Sequence, residues 1–287
     1  MRVAAFTDLD GPDGVSIIDQ PTPEPGGEEA LVDVEAAAIN RHDLWILEGD
    51  SAMVEAEDLP FVSGLDLAGE VREVGAEVTA VEPGDRVVLC PNETCRSCPY
   101  CREGPENRCR DYSLFHGGLA EVACVTADRL VPLPDAIDAT TAAALPTAYM
   151  TALHMLRRAE VEPTDLVFVP GATGGVGLAS IQLAAIMGAR TVGSSRSASK
   201  LERVAAAGLD VPIQATDPED LRERVLAVLD RPDVVLNHLG GPYTTTGLDV
   251  LRRGGRMIVC GRTAGRHSEI DISDLFLQHK QVIGSTM

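Results

Sequence analysis

The sequence predicts an α/β chain in which a β-rich first part precedes a doubly wound parallel sheet. Two observations predict it. Between residues 166 and 260, short apolar runs alternate regularly with helical stretches across short connections, the pattern of a parallel sheet covered by helices. Earlier in the chain, short apolar runs are separated by Gly, Pro and Asp, the punctuation of strands and turns.

In the first part, strands are expected at 2–6, 30–37, 66–74, 86–90 and 120–126. PTPEPGG at 21–27 is a turn-rich connector, and PGDR at 83–86 is a tight turn feeding a strand. The character changes near residue 138. The 138–158 stretch reads as one helix, with an acid at its start and Arg157 and Arg158 at its end, matching the helix dipole. Strands follow at 166–169, 190–194, 211–215, 233–237 and 256–260, with helices at 175–187, 199–207, 218–229 and 243–251.

The 287 residues suffice for two domains with real cores. Only 3% of them are aromatic, so those cores must be built mainly from Ala, Val, Leu and Ile. The formal charge is −20, and Lys occurs only at 200 and 280. Such a surface repels nucleic acid and anionic membranes, so neither is an expected partner. It is read as a solvated surface, with a sharper halophilic alternative in which high salt screens the self-repulsion. The start, MRVAAFTDLD, has acids where a signal peptide would be apolar, and the uncharged 139–156 stretch holds Pro146 and four threonines. A cytoplasmic location is therefore expected.

The strand at 166–169 runs into Gly171, Ala172, Thr173, Gly174, Gly175, Val176 and Gly177, and then into a helix. Glycines there allow a tight turn and let backbone N–H groups and the helix N-terminus approach a pyrophosphate. A glycine triplet alone is weak; its place between a buried strand and the helix of a βαβ series makes a dinucleotide site the expected reading. The next strand ends GSSR, with no acid before Glu202. A carboxylate there would pair with a ribose hydroxyl and repel a 2′-phosphate, whereas hydroxyls and cations suit the phosphate. NADP(H) is therefore expected, with Ser195, Arg196 and Lys200 on the 2′-phosphate. The bland alternative is a solvated helix start capped by Ser197 or Ser199.

Four of the seven cysteines, Cys95, Cys98, Cys101 and Cys109, fall within fifteen residues. Four thiolates complete a tetrahedral zinc shell with no open position, so this zinc is expected to be structural. A redox-active C-x-x-C pair is the competing reading. Cys90, Cys124 and Cys260 lie in apolar runs and read as packing residues.

The cysteine spacing, the PGDRV turn at 83–87, the GLDLAGEV stretch at 64–71 and the 171–177 glycine turn occur in the order of the medium-chain, zinc-containing alcohol dehydrogenase/quinone reductase superfamily, which the chain resembles over essentially its whole length. The resemblance implies a GroES-like β-barrel catalytic domain at 1–127 with a structural-zinc lobe at about 90–110. A Rossmann domain would follow at 128–265, with the substrate in the cleft between them. Residues 266–287 would return toward the catalytic domain. Relatives usually continue well past residue 287, so this return is expected to be truncated and part of the cleft absent. A homodimer or homotetramer is the default expectation.

The resemblance also shows departures. The first catalytic-zinc ligand, a Cys, is replaced by Asn40, the proton-relay hydroxyl position is His42, and the His of Gly-His-Glu is Leu65. Asn and Leu cannot replace thiolate and imidazole, so the standard catalytic zinc is not expected. The ALPTAYMTA segment at 144–152 likewise resembles the zinc-free quinone-reductase branch. His42, Asp43 and Asp66 remain candidates for an unconventional oxygen/nitrogen site; the alternative for Asp43 and Asp66 is hydrogen bonding that orders the barrel. For catalysis, Asn40 and His42 are the expected hydrogen-bond and proton donors, with Tyr149 a weaker one. Thr147, Thr151, Asn237, Leu239, Gly240, Gly241, Cys260, Gly261 and Arg262 are expected near the nicotinamide; ordinary βα turns are the alternative for the strand ends. The expected activity is NADP(H)-dependent hydride transfer to or from a small carbonyl, enone or quinone. A dehydrogenase with altered zinc ligands and a catalytically degenerate NADP(H)-binding protein are the alternatives.

Overall fold

The computed structural model describes residues 1–51, 53–228 and 230–287. The chain forms two compact units, Met1–Thr147 and Ala148–Met287.

The first unit contains β1 (Arg2–Phe6), β2 (Val15–Asp19), β3 (Glu29–Ala38), α1 (Arg41–Leu47), β4 (Phe61–Val62), β5 (Asp66–Val74), β6 (Arg86–Leu89), β7 (Asn92–Glu93), α2 (Pro99–Glu103), β8 (Ser113–Leu114), β9 (Val122–Thr126), β10 (Leu130–Pro132) and α3 (Ala139–Ala143). Its strands form an antiparallel sheet of order β10-β6-β5-β3-β9, a second of order β2-β1-β4, and the small pair β7-β8. Val32, Leu67, Val71, Val87, Leu89, Ala123 and Val125 fill the core of the five-stranded sheet. The β3–β5 register shifts twice, between Leu31 and Val32 and between Val34 and Ala36. There a Cβ on Gly69 would stand 1.9 Å from the Asp33 carbonyl oxygen, so only glycine lets the two backbones pass.

The helix expected over 138–158 is two helices, α3 and α4 (Pro146–Arg158). Asp138 caps α3 by accepting the Thr141 N–H at 2.7 Å. Pro146 then opens α4, because a ring without an N–H suits a first turn and disrupts a helix interior.

In the second unit, β11 (Leu166–Val169), α5 (Gly175–Ile186), β12 (Arg190–Ser195), α6 (Ala198–Ala205), β13 (Val211–Gln214), α7 (Pro218–Val228), β14 (Val234–Asn237), α8 (Pro242–Val250), β15 (Arg256–Val259), α9 (Ile272–Leu277) and β16 (Gln281–Gly284) alternate along the chain. Leu229, the last residue of the helix expected at 218–229, lies outside the described residues. The sheet is parallel throughout, in the order β13-β12-β11-β14-β15-β16. All four residues of β11 and of β14 are buried, which explains their unbroken apolar sequences. Val167 and Val169 pack with Met155, Leu156 and Ile181 on one face, while Leu166 and Phe168 pack with Leu221, Val225 and Met257 on the other.

β10 pairs with β6, so the first unit continues past residue 127 to Thr147. The 266–287 segment supplies α9 and the sixth strand, β16, which pairs in parallel with β15. Lys280 anchors this end. Its buried ammonium donates to the Leu248 carbonyl and the Asp274 carboxylate, each at 2.7 Å.

Phe168 is fully buried between β11 and the helices covering that face. Phe168→Ala in the full chain is expected to lower the unfolding free energy by about 3–5 kcal/mol in urea titrations. A loss below about 1 kcal/mol would show that the site collapses around the smaller side chain.

Candidate functional site

In the second unit, β11 leads through β12 to β13 toward one edge of the sheet, while β14 begins the walk toward the other. The carboxyl ends of β11 and β14 therefore flank the switch point at which an open parallel sheet binds ligands. Residues 170–174 turn the chain there. Gly171 has φ +72°, a conformation that side chains disfavour. A Cβ on Gly177 would stand 2.5 Å from the Gly171 carbonyl oxygen and 2.8 Å from Ala172 Cα, so the first turn of α5 packs directly on the turn backbone. Gly174 and Gly175 are exposed, Val176 is half-buried, and together they present the open N-terminus of α5. The turn is tied to β12 by the Ala172 N–H on the Ser194 carbonyl (2.9 Å), the Gly171 N–H on Ser194 Oγ (3.3 Å) and a Thr173–Ser195 hydroxyl contact (3.0 Å).

At the end of β12, Ser195 Oγ also accepts the Ser197 N–H at 3.2 Å, and Ser197 caps α6. Arg196 and Lys200 are exposed and make no ion pair among the described residues.

Asn237 is fully buried and its amide is committed to the following turn. Oδ1 accepts the N–H groups of Leu239 and Gly240 at 3.0 Å, and Nδ2 donates to Thr244. Leu239, Cys260, Gly261 and Arg262 are half-buried just beyond β14 and β15, and burial lifts the Cys260 thiol to about 12. Thr151 is buried on α4, and the Tyr149 hydroxyl is hydrogen-bonded to Gln182.

In the first unit, the Sγ atoms of Cys95, Cys98, Cys101 and Cys109 all lie within 4.8 Å of one another. Three of the separations are 3.4, 3.5 and 3.8 Å. A tetrahedron of thiolates about 2.3 Å from a zinc ion has sulfurs roughly 3.8 Å apart, so this donor set fits the ion. Donors from Ser97 pull the Cys95 thiol down to about 6, which favours the thiolate a metal needs. The Arg129–Glu106 ion pair (2.9 Å) and the Arg129–Thr94 hydrogen bond brace the lobe.

The remaining candidates gather around the start of α1. Asp43 is buried, and three donors reach its carboxylate: Ser63 Oγ at 2.5 Å, the Gly64 N–H at 3.0 Å and the Asn40 N–H at 2.7 Å. Asp66 is equally buried and holds Asn40 Nδ2 (3.0 Å) together with the Thr147 hydroxyl (2.7 Å) and N–H (3.1 Å). Leu65, between Gly64 and Asp66, is buried. His42 stacks on His116, with centroids 5.4 Å apart and planes 25° apart, and Phe61 meets His116 edge-on at 5.1 Å. Both ring nitrogens of His116 are shielded without a hydrogen-bond partner among the described residues. Burial, reinforced by His42 and opposed by Asp43, pushes the His116 pKa down to about 4, so the ring is neutral. Sequence spacing gave no signal for His116; the fold alone brings it to His42.

Burial pushes the Asp66 carboxyl up from 3.8 to about 6; the hydrogen bonds from Asn40 and Thr147 oppose the shift, and nearby Asp43 adds to it. Below pH 3.8 the group is protonated whether the chain is folded or unfolded; between 3.8 and about 6 only the folded chain keeps the proton. This carboxyl therefore makes stability fall as pH rises through that window. Asp66→Asn is expected to remove a drift of about 2–3 kcal/mol, read as urea stability from pH 4 to pH 7. Identical pH profiles for both proteins would refute the assignment.

Residues 26–135 match the family model described as the alcohol dehydrogenase GroES-like domain, and residues 175–287 match the zinc-binding dehydrogenase model. An alcohol dehydrogenase of Schizosaccharomyces pombe is 29% identical over 98% of this chain and 82% of its own length. The acryloyl-coenzyme A reductase of Metallosphaera sedula is 31% identical over 86% of this chain and 73% of its own. A crystal structure of an NAD-dependent alcohol dehydrogenase superposes with a TM-score of 0.91 at 33% identity, covering 100% of this chain and 85% of that one. With its GroES-like and parallel-sheet units, the chain belongs to the medium-chain dehydrogenase/reductase superfamily of hydride-transferring oxidoreductases.

Proposed function

We propose that the chain is an NADP(H)-dependent reductase that delivers hydride to the electrophilic carbon of a small carbonyl, enone or quinone. The observation that carries the cofactor choice is the end of β12. Ser195, Arg196 and Lys200 stand there without an acid, and the two cations make no ion pair among the described residues of a chain of charge −20. A 2′-phosphate suits that group, whereas the ribose hydroxyl of NAD(H) leaves both cations unused. The glycine turn and the N-terminus of α5 are the reading's pyrophosphate cradle.

A bound reduced nicotinamide supplies the hydride. On the protein side, His42 is the proton source for the developing enolate or alkoxide. Asn40, held by Asp66 through one hydrogen of Nδ2, offers its second as a donor to the same oxygen. Asp43 fixes the start of α1, and with it the direction of Asn40 and His42. Cys95, Cys98, Cys101 and Cys109 hold a structural zinc. Asn40 and Leu65 leave the customary substrate-gripping metal without two of its donors, which favours reduction of an activated double bond over oxidation of an unactivated alcohol. The similarity to acryloyl-coenzyme A reductase supports an activated C=C as one substrate class.

The protein is proposed to act as a cytoplasmic homodimer joined along the edge strand β16. Exposed Ile272, Phe276 and Leu277 on α9 and Val282 on β16 mark that side. No helix among the described residues is long and apolar enough to cross a membrane.

Metal analysis of the purified chain is expected to give about one zinc per chain, with NADPH oxidised in the presence of an enone, quinone, aldehyde or enoyl thioester. About two zinc ions per chain would favour a dehydrogenase with altered ligands. Arg196→Asp should shift the NADPH/NADH preference toward NADH by about tenfold or more. An unchanged ratio overturns the 2′-phosphate assignment.

A further inference from the structure

His238 directly follows β14, between Asn237 and Leu239, where the strand order reverses. Its Nε2 lies over the glycine turn, 3.2 Å from where a Cβ on Gly171 would stand and 4.0 Å from where one on Gly174 would. Its Nδ1 is sealed from solvent and has no hydrogen-bond partner among the described residues. The His238 main chain is closely packed: a Cβ on Gly261 would come within 2.2 Å of its carbonyl oxygen, so the ends of β14 and β15 abut closely. A polar ring nitrogen lying against the glycine turn has donor or acceptor capacity to offer a group bound there.

We propose that His238 is a dinucleotide-binding residue whose imidazole hydrogen-bonds the cofactor where its ribose–pyrophosphate stretch crosses the glycine turn. The inference rests on the cofactor reading above and adds to it a contact that does not involve the 2′-phosphate. Burial depresses the ring's pKa to about 4, outweighing the backbone of Gly171 and Leu236, so the ring is neutral near pH 7. A neutral imidazole carries one N–H and one lone pair. It can donate to a phosphate or ribose oxygen, or accept from a ribose hydroxyl, without placing a net charge in the turn. Ser195, Arg196 and Lys200 can discriminate between the two nicotinamide dinucleotides, whereas His238 faces a portion that both share.

Fluorescence titration of NADPH and of NADH into the full-length wild type, His238→Ala and His238→Gln tests this. His238→Ala is expected to weaken both cofactors about tenfold by a similar factor, leaving their ratio unchanged. His238→Gln, which retains an N–H donor and an acceptor, recovers part of the loss. The unfolding temperature of the apo-protein should change little. In the wild type, nitrogen-15 ring resonances of His238 should move on addition of NADP⁺, a readout that needs no variant to fold. Unaltered affinity of His238→Ala with unmoved resonances overturns this inference alone. Failure of the wild type to bind either dinucleotide overturns the cofactor reading, and this inference with it.

Discussion

The second unit depends on one close approach: the backbone of the first turn of α5 lies against the backbone that leaves β11. Side chains at 171 and 177 would hold the two apart, by conformation at the first position and by collision at the second. Their absence lets the helix N-terminus sit at the mouth of the sheet, where its unpaired N–H groups can face an anion. Ser194 and Ser195 then tie the turn to β12, so hydrogen bonds join the glycine turn to the end of β12. A similar economy operates in the first unit, where Gly69 lets β5 pass the irregular stretch of β3.

Two carboxylates separated by a short stretch of fold meet different environments. Asp43 accepts hydrogen bonds from three donors and serves to fix the chain around it. Asp66 is buried with donors that do not offset its desolvation, and it remains protonated at higher pH than an ordinary aspartate. The pair illustrates how one local cluster can combine a rigid anchor with a group that responds to acid. The thiol lobe contributes differently: four cysteine sulfurs, spaced to fit a tetrahedral ion, converge in a segment whose strands β7 and β8 have only two residues each.

The parallel-sheet unit was the most legible in the sequence. Strands buried on both faces have uninterrupted apolar sequences, and helices between them have a different period. β4, β7 and β8 were not legible, because two residues carry no periodicity. The split at Pro146 had a signal, the proline itself, but the apolar pattern on either side concealed it. β16 was missed because its edge position leaves three of its four residues exposed and its sequence only weakly strand-like. Asn40, His42, Asp43 and Asp66 could be read from motif position, and the fold gathers them with a partner, His116, that no spacing rule reaches. Asn237 was read as lying near the nicotinamide; its amide hydrogen-bonds its own turn, a contact that sequence alone did not reveal, and the adjacent His238 looked in sequence like an ordinary turn residue.

The scarcity of lysine has a practical side once Lys280 is seen to be enclosed by Leu248 and Asp274. Lys200 is then the single solvent-facing lysine amine, and the α-amino group of Met1 already donates to the Gln20 carbonyl. Within residues 1–287, amine-directed chemistry is thereby confined almost to one point on the surface of α6. A fluorophore or affinity tether coupled there would report from the rim of the sheet's ligand-binding end, without cysteine engineering that could disturb the four-thiol cluster.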